Sequence, residues 1–127
     1  MFNKIAHRIR VWKAARRERK KDKERSPKWQ GVRDQFIKDH PECVACGATL
    51  ELQVHHEMPY HLHPELELDP NNLIVLCMKD NECHLRIGHG NNFRAFNPFV
   101  VSDATTARKH PERRAAIEKE AKAKRSL

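Results

Sequence analysis

The chain reads Cys43-Val44-Ala45-Cys46, then Leu52-Gln53-Val54-His55-His56-Glu57-Met58-Pro59, then Asp69-Pro70-Asn71-Asn72-Leu73-Ile74-Val75-Leu76-Cys77, then Cys83-His84-Leu85-Arg86-Ile87-Gly88-His89-Gly90. All four cysteines and six of the nine histidines fall between Cys43 and Gly90. Four thiols in two short groups, in a chain that reads as intracellular, point to zinc thiolates rather than disulfides. Cys43, Cys46, Cys77 and Cys83 are the candidate ligands of one structural zinc. Closing that site would draw His55, His56 and His84 to one place, because His84 follows a cysteine directly. Cys43-x2-Cys46-Gly47 has knuckle spacing, with Gly47 free to take a positive φ, and the x5 spacing of Cys77 and Cys83 makes the second knuckle an enlarged one.

Working outward, Glu51 to His55 alternates like a short strand, and Leu73-Ile74-Val75-Leu76 is an apolar run suited to a buried strand. Between them, residues 57–70 hold three prolines and the histidines His61 and His63, a long connection of the kind that often carries function. A helix is expected from about Glu82, carrying Cys83, His84 and Ile87 and stopped by Gly88. Strand, long loop, strand and helix make a ββα unit.

On the N-terminal side, Ser26-Pro27 suggests a cap and first position for a helix over Lys28 to Asp39, with Trp29, Val32 and Phe36 on a core face. Residues 4–25 lack Gly and Pro and favour helix. Phe2, Ile5, Ile9 and Trp12 form one apolar face, for docking on the core or on a partner. Arg16 to Arg25 reads as a solvated arm, and Arg16, Arg17, Arg19, Lys20 and Lys21 as candidate phosphate-gripping residues. On the C-terminal side, Phe93 and Phe96 are expected to pack back on the core, followed by helices near 102–109 and from Pro111 to about Lys124. Alanine dominates the last helix, so weak docking is expected, with Glu118–Lys122 and Glu120–Lys124 as i,i+4 pairs.

A length of 127 residues is one domain's worth, and 39% hydrophobic against 33% charged residues implies a small core that a metal would help to hold. The N-terminus has no apolar signal region and no run approaches membrane length, which reads as a cytoplasmic protein. The net charge of +8 is unevenly placed: residues 1–25 carry eleven basic and three acidic side chains, residues 108–127 eight and three, and residues 26–107 six and eleven. Three regions follow: a basic helical arm over 1–25, a metal-bearing domain over 26–107, and a basic C-terminal helix over 108–127. Basic ends around a mildly acidic centre place polyanion affinity in the arms and leave other work to the centre.

Neighbouring strand side chains point to opposite faces, so His55 and His56 divide their labour. One imidazole can bind a cation while the other stays free, near its ordinary pKa of about 6.5, to take a proton from water. His84 can supply a second imidazole to that cation, and two protein ligands leave positions open for water and a phosphate oxygen, as a catalytic metal site requires.

These motifs resemble the HNH endonucleases, in particular the zinc-bound kind common in phages and bacteria. The similarity spans roughly residues 43–92 and rests on the CxxC pair, the His-His ahead of a proline, the Asn-Leu entering the second strand, and a Cys-His closing the second cysteine group. It implies an α+β fold with a ββα-metal (His-Me finger) core stapled by a four-cysteine zinc site and flanked by N- and C-terminal helices. It further implies His56 as general base, His55 and His84 as ligands of a catalytic divalent metal, and Asn72 as the residue that ties the loop and orients His56, the other reading of Asn72 being a strand-entry residue that satisfies its own backbone. His89 touches the scissile phosphate or a ligand, or is a solvated helix-end histidine. Glu57 stands where the family has an apolar residue, and approaches the metal or faces solvent. One of His61 and His63 assists with the phosphate, or both are inert. The implied reaction is hydrolysis of DNA phosphodiester bonds to 5′-phosphate and 3′-hydroxyl ends with Mg2+ or Mn2+, or with Ni2+ or Zn2+ in vitro. A monomer with one such centre nicks by default. The small phage-encoded members tilt the biological role toward DNA packaging, with packaging proteins as partners. The competing class is a non-catalytic zinc module that binds nucleic acid, which explains the cysteines and arms but not the histidine pair.

Overall fold

The alternating segment and the apolar run meet as a two-stranded antiparallel sheet. β1 (Leu52–His56) pairs with β2 (Leu73–Cys77), with Leu52 opposite Cys77, Val54 opposite Val75 and His56 opposite Leu73. The structure is a computed structural model that describes residues 25–127. The expected helix over 4–25, its face of Phe2, Ile5, Ile9 and Trp12, and the cations Arg16, Arg17, Arg19, Lys20 and Lys21 lie outside the described residues.

β2 is buried along its whole length, as an uninterrupted Leu-Ile-Val-Leu run requires. β1 passes from half-buried Leu52 and exposed Gln53 to buried Val54, His55 and His56, so the sheet carries both histidines inward at its far end. Ile74 and Leu76 enter one apolar cluster with Cys43, Cys77, Cys83, Ile87, Val100, Ala104, Ala107 and Ile117. The cysteines are thus part of the core itself. The fold is mixed α+β, with the helices α1 (Trp29–Asp39), α2 (Val100–Lys109) and α3 (Arg114–Lys124) around the sheet. None of the described helices is long and apolar enough to cross a membrane.

Several local expectations are revised. α1 begins at Trp29 behind a cap position at Lys28 that has no side-chain cap bond. Ser26 Oγ instead accepts from the Lys28 amide (3.2 Å), forming a turn ahead of the helix. α1 buries no residue, because it lies against the β1 edge of a sheet only two strands wide. Its aromatics are spent on neighbouring rings: Trp29 on His56 (4.6 Å) and Phe36 on His40 (4.2 Å). Phe93, expected to pack inward, is 56% exposed, whereas Phe96 is buried.

The helix expected after Cys77 is a five-residue π-helical turn over His84–Gly88. Glu82, at φ 45°, is left-handed and cannot belong to it. The turn is stopped by Gly90 (φ 57°) and Asn91 (φ 67°), not by Gly88, and the Asn91 amide reaches back to the Leu85 carbonyl (2.9 Å). α3 is anchored more firmly than its alanine content suggests, with Ile117 and Ala121 buried and the π turn as the element it packs against. Within α3, Glu118 Oε1 pairs with Arg114 one turn back (3.5 Å), while Arg86 (3.8 Å) on Glu118 and Asp103 (3.0 Å) on Lys124 tie the helix to the rest of the fold. Beyond α3 the chain pairs with the segment after the π turn, where Phe96 and Ser126 exchange backbone bonds of 2.8 and 2.9 Å.

Candidate metal centres and the adjoining cavity

The two cysteine groups converge as their spacing predicts. The sulfurs of Cys43, Cys46, Cys77 and Cys83 all lie within 4.8 Å of one another, and all four are free thiols. A tetrahedron of Zn–S bonds of about 2.3 Å has edges of ~3.8 Å. The separation of 3.6 Å between Cys46 and Cys77 matches such an edge and is far too long for a disulfide. Gly47 takes φ 79° and donates its amide to the Cys43 carbonyl (2.8 Å), closing the first knuckle as a non-glycine residue would resist doing. The four cysteines are therefore placed to hold a zinc ion. Cys43 is drawn down to about 4, first because the Cys83 thiol donates to it, with amides of Cys77, Cys46 and Ala45 adding to the effect against its burial. Cys83 is pushed up for the complementary reason. A divalent cation displaces such shared protons and takes the thiolates. Arg114 on α3 donates through Nη1 to Cys83 Sγ (3.1 Å) and through Nη2 to the Asn81 carbonyl (2.8 Å).

A second cluster is made of His55, His84 and His89, whose ligand nitrogens also lie within 4.8 Å of one another. β1 supplies His55 and the π turn supplies the other two. In an α-helix, residues five apart point about 140° away from each other. The wider π turn, with the His89 amide bonded to the His84 carbonyl (3.1 Å), brings His89 round to the side of His84. Gly88 lets the same closure be close, since a Cβ there would stand 3.2 Å from both His55 Cε1 and Leu76 Cδ1, tighter than ordinary contact.

Hydrogen bonds decide the tautomers. His89 Nδ1 lies 2.6 Å from the Ala95 carbonyl, which can only accept and so requires a proton on Nδ1, and His84 Nδ1 lies 2.6 Å from Gln53 Oε1, which in this orientation accepts as well. The Nε2 lone pairs of His84 and His89 then face each other at 3.2 Å, which a neutral pair tolerates poorly. Two nitrogens each ~2.1 Å from one ion subtend such a distance at an angle of about 100°. The third imidazole completes the case: His55 Nε2 is buried with no hydrogen-bond partner. Burial, followed by the neighbouring imidazoles, holds His55 well below its ordinary value. His84 falls to about 4, and His89 is lowered too, again mainly by burial. Three neutral imidazoles with converging lone pairs form a ligand set for a borderline divalent cation.

No family model, curated protein or solved structure matches the chain.

His56 faces away from this cluster's ligand set, as alternation on β1 predicts. Its Nε2 donates to the Glu67 carbonyl (2.9 Å), which leaves Nδ1 as the lone-pair nitrogen. Burial lowers its pKa, and the Arg25 charge adds to this against the raising effect of Glu67. The loop that presents Glu67 is tied by Asn72, which donates to the carbonyls of Met58 (3.1 Å) and Leu66 (3.3 Å) and accepts from the Met58 amide (2.8 Å). Asn72 is thus a cross-loop clasp and not a residue satisfying its own backbone. The buried Glu67 carboxylate accepts from the Ser26 amide (3.1 Å) and faces Arg25 (3.5 Å), whose guanidinium sits 4.7 Å from the Tyr60 ring.

A cavity of about 570 Å3 opens in front of His55, His56, His84 and His89. His61 lies on its wall, while His63 is paired with Glu65 (3.0 Å). Glu57 lies apart, half-buried with its carboxyl raised by desolvation, beside Pro98, Phe99 and Val101 in a separate pocket. Sequence reasoning missed Gln53, Glu67, Arg114, Trp29 and the Ala95 carbonyl. Of these only Gln53 had a usable signal, since it shares the His55 face of β1 and so had to lie near whatever His55 meets.

Proposed function

We propose that the chain is a metal-dependent endonuclease of the HNH type, which hydrolyses DNA phosphodiester bonds and leaves 5′-phosphate and 3′-hydroxyl ends. One observation carries the proposal: a trihistidine ligand set of His55, His84 and His89 stands beside a fourth imidazole, His56, kept out of it and held in the tautomer of a base. A purely structural site would close around its ion, and it would have no use for a separate neutral histidine facing the same cavity. The two strands and the π turn then correspond to the ββα-metal arrangement, with the four-cysteine zinc site as its staple.

A borderline divalent ion, Mn2+ or Ni2+ rather than the oxygen-seeking Mg2+, would supply Lewis-acid stabilisation of charge on phosphorus and on the departing 3′ oxygen. His55, His84 and His89 would hold that ion, with Gln53 and the Ala95 carbonyl fixing two of the rings. His56 takes the proton of the attacking water at Nδ1. The Glu67 carbonyl accepts from Nε2–H throughout, steadying the imidazolium as it forms. Asn72 acts one step back, holding the loop from which Glu67 projects. With one such centre per chain, a single strand is cut per event.

Plasmid nicking with Mn2+ or Ni2+, blocked by EDTA, is the direct test. His56→Ala should lower turnover by at least about 10²-fold while DNA binding stays near the parent's, since a base acts on the transition state. His55→Ala, His84→Ala and His89→Ala should instead raise the metal concentration needed, with partial rescue by Mn2+. Near-parental cutting by His56→Ala would remove the base assignment. Absence of cutting under every metal, with retained DNA binding, would favour the non-catalytic zinc module.

A further inference from the structure

The cavity in front of the histidines is larger and more apolar than a phosphodiester needs. Cleaving the backbone of a regular duplex requires only that a convex, charged phosphate reach the metal. Here the wall is formed by Val54, Pro59, Tyr60, Phe93 and Phe96, with Arg25 and Arg94 as its cations. Phe93 is the telling residue. Its ring stands 5.0 Å from that of His89 and 5.9 Å edge-on from that of His84, yet the residue is 56% exposed. The ring thus offers an open aromatic surface inside the cavity and immediately beside the histidine cluster, a platform on which a base can stack.

From this geometry we infer that the site takes a nucleotide whose base is unstacked, resting on Phe93 in the apolar part of the cavity while its phosphate meets the histidine-held ion and the arginines. The favoured substrate class is then single-stranded DNA, or duplex DNA carrying an extrahelical or unpaired nucleotide, over regular duplex. Aromatic stacking tolerates any base, so no sequence preference comes with it. An intact duplex must first unstack a base to use the pocket, at a cost that an already unpaired nucleotide does not meet. The inference rests on the nuclease reading above and adds the substrate form to it.

The test compares three oligonucleotides of one sequence: a full duplex, the same duplex with one bulged nucleotide, and the single strand. The parent protein with Mn2+ should cut the bulged and single-stranded forms at least about tenfold faster in kcat/KM than the duplex. Phe93→Ala should bring that ratio toward one by raising KM on the two unpaired forms, by about the factor one base–aromatic stack provides. Phe93→Tyr should keep the ratio, which a loss of fold or of metal would not allow. Equal cutting of all three by the parent, or an unchanged ratio in Phe93→Ala, overturns the inference and leaves the nuclease reading standing. No cutting of any of the three overturns both.

Discussion

His56 and His55 are neighbours in sequence with opposite chemical fates, and the difference lies in what each ring nitrogen meets. His55 Nε2 is buried and unpartnered, whereas His56 Nε2 is occupied by a carbonyl. Because burial and then Arg25 depress the His56 pKa below its ordinary 6.5, this imidazole, the base of the proposed reaction, is neutral at pH 7. The sign for stability is the same: a depressed folded pKa contributes stability that is present above about 6.5 and is lost as pH falls through the folded value. At saturating metal, kcat should rise with pH along an acid limb whose midpoint lies below 6.5. Arg25→Gln should move that midpoint upward, since it removes a cation that opposes protonation. A pH–rate profile of parent and variant checks both statements, and an acid limb centred above about 7 would contradict them.

The π turn is the element on which both candidate metal centres depend. It follows Cys83 directly, carries His84, delivers His89 and is packed by α3. The contact of Arg114 with Cys83 adds a cation to a site that carries four thiolates when zinc is bound, a formal charge of −2 on the centre. Charge-assisted donors to a ligand sulfur retard its protonation and departure. One zinc per chain should therefore survive mild chelation, and Cys83→Ala should be mostly insoluble because metal and core are the same structure. Arg114→Met should fold with zinc bound but release it to a colorimetric chelator about tenfold faster or more. A folded protein containing no zinc, or an Arg114→Met variant with unchanged release, would show that the cluster is not the staple described.

Across the whole molecule, charge and chemistry are separated. Residues 1–25 hold eleven basic side chains, while the region around the histidines is net acidic. DNA affinity should then come largely from phosphate contacts by the arm, with log K falling against log salt by about 0.9 per phosphate neutralised. Reversing the charges of Arg16, Arg17, Arg19, Lys20 and Lys21 to Glu should weaken binding and flatten that slope. Cleavage at saturating DNA should change far less. Equal affinity and slope in parent and variant, measured by anisotropy from low to moderate salt, would place the grip elsewhere. The one described point where the arm's end touches the site is Arg25, bonded to Glu67, whose carbonyl holds His56.

The amino-acid sequence by itself determined the two strands, the closure of the four cysteines and the opposite facing of His55 and His56. Each follows from spacing along one strand or turn, which local geometry dictates. The loop-tying role of Asn72 came from the family resemblance alone, the residue read by itself being equally a strand-entry Asn. What only the tertiary structure decided is the third ligand, the tautomers and the open ring. His89 joins His84 because the turn is π and not α, and Gly88 permits that turn to lie on His55. The protons on His56, His84 and His89 are set by two backbone carbonyls and one Gln, and a carbonyl belongs to every residue and so leaves no mark in a sequence. Arg114 reaches Cys83 across 31 residues, and of the two phenylalanines Phe96 is buried while Phe93 stays exposed. Such choices depend on which distant surfaces compete for the same space, and that competition is settled only when the chain has packed.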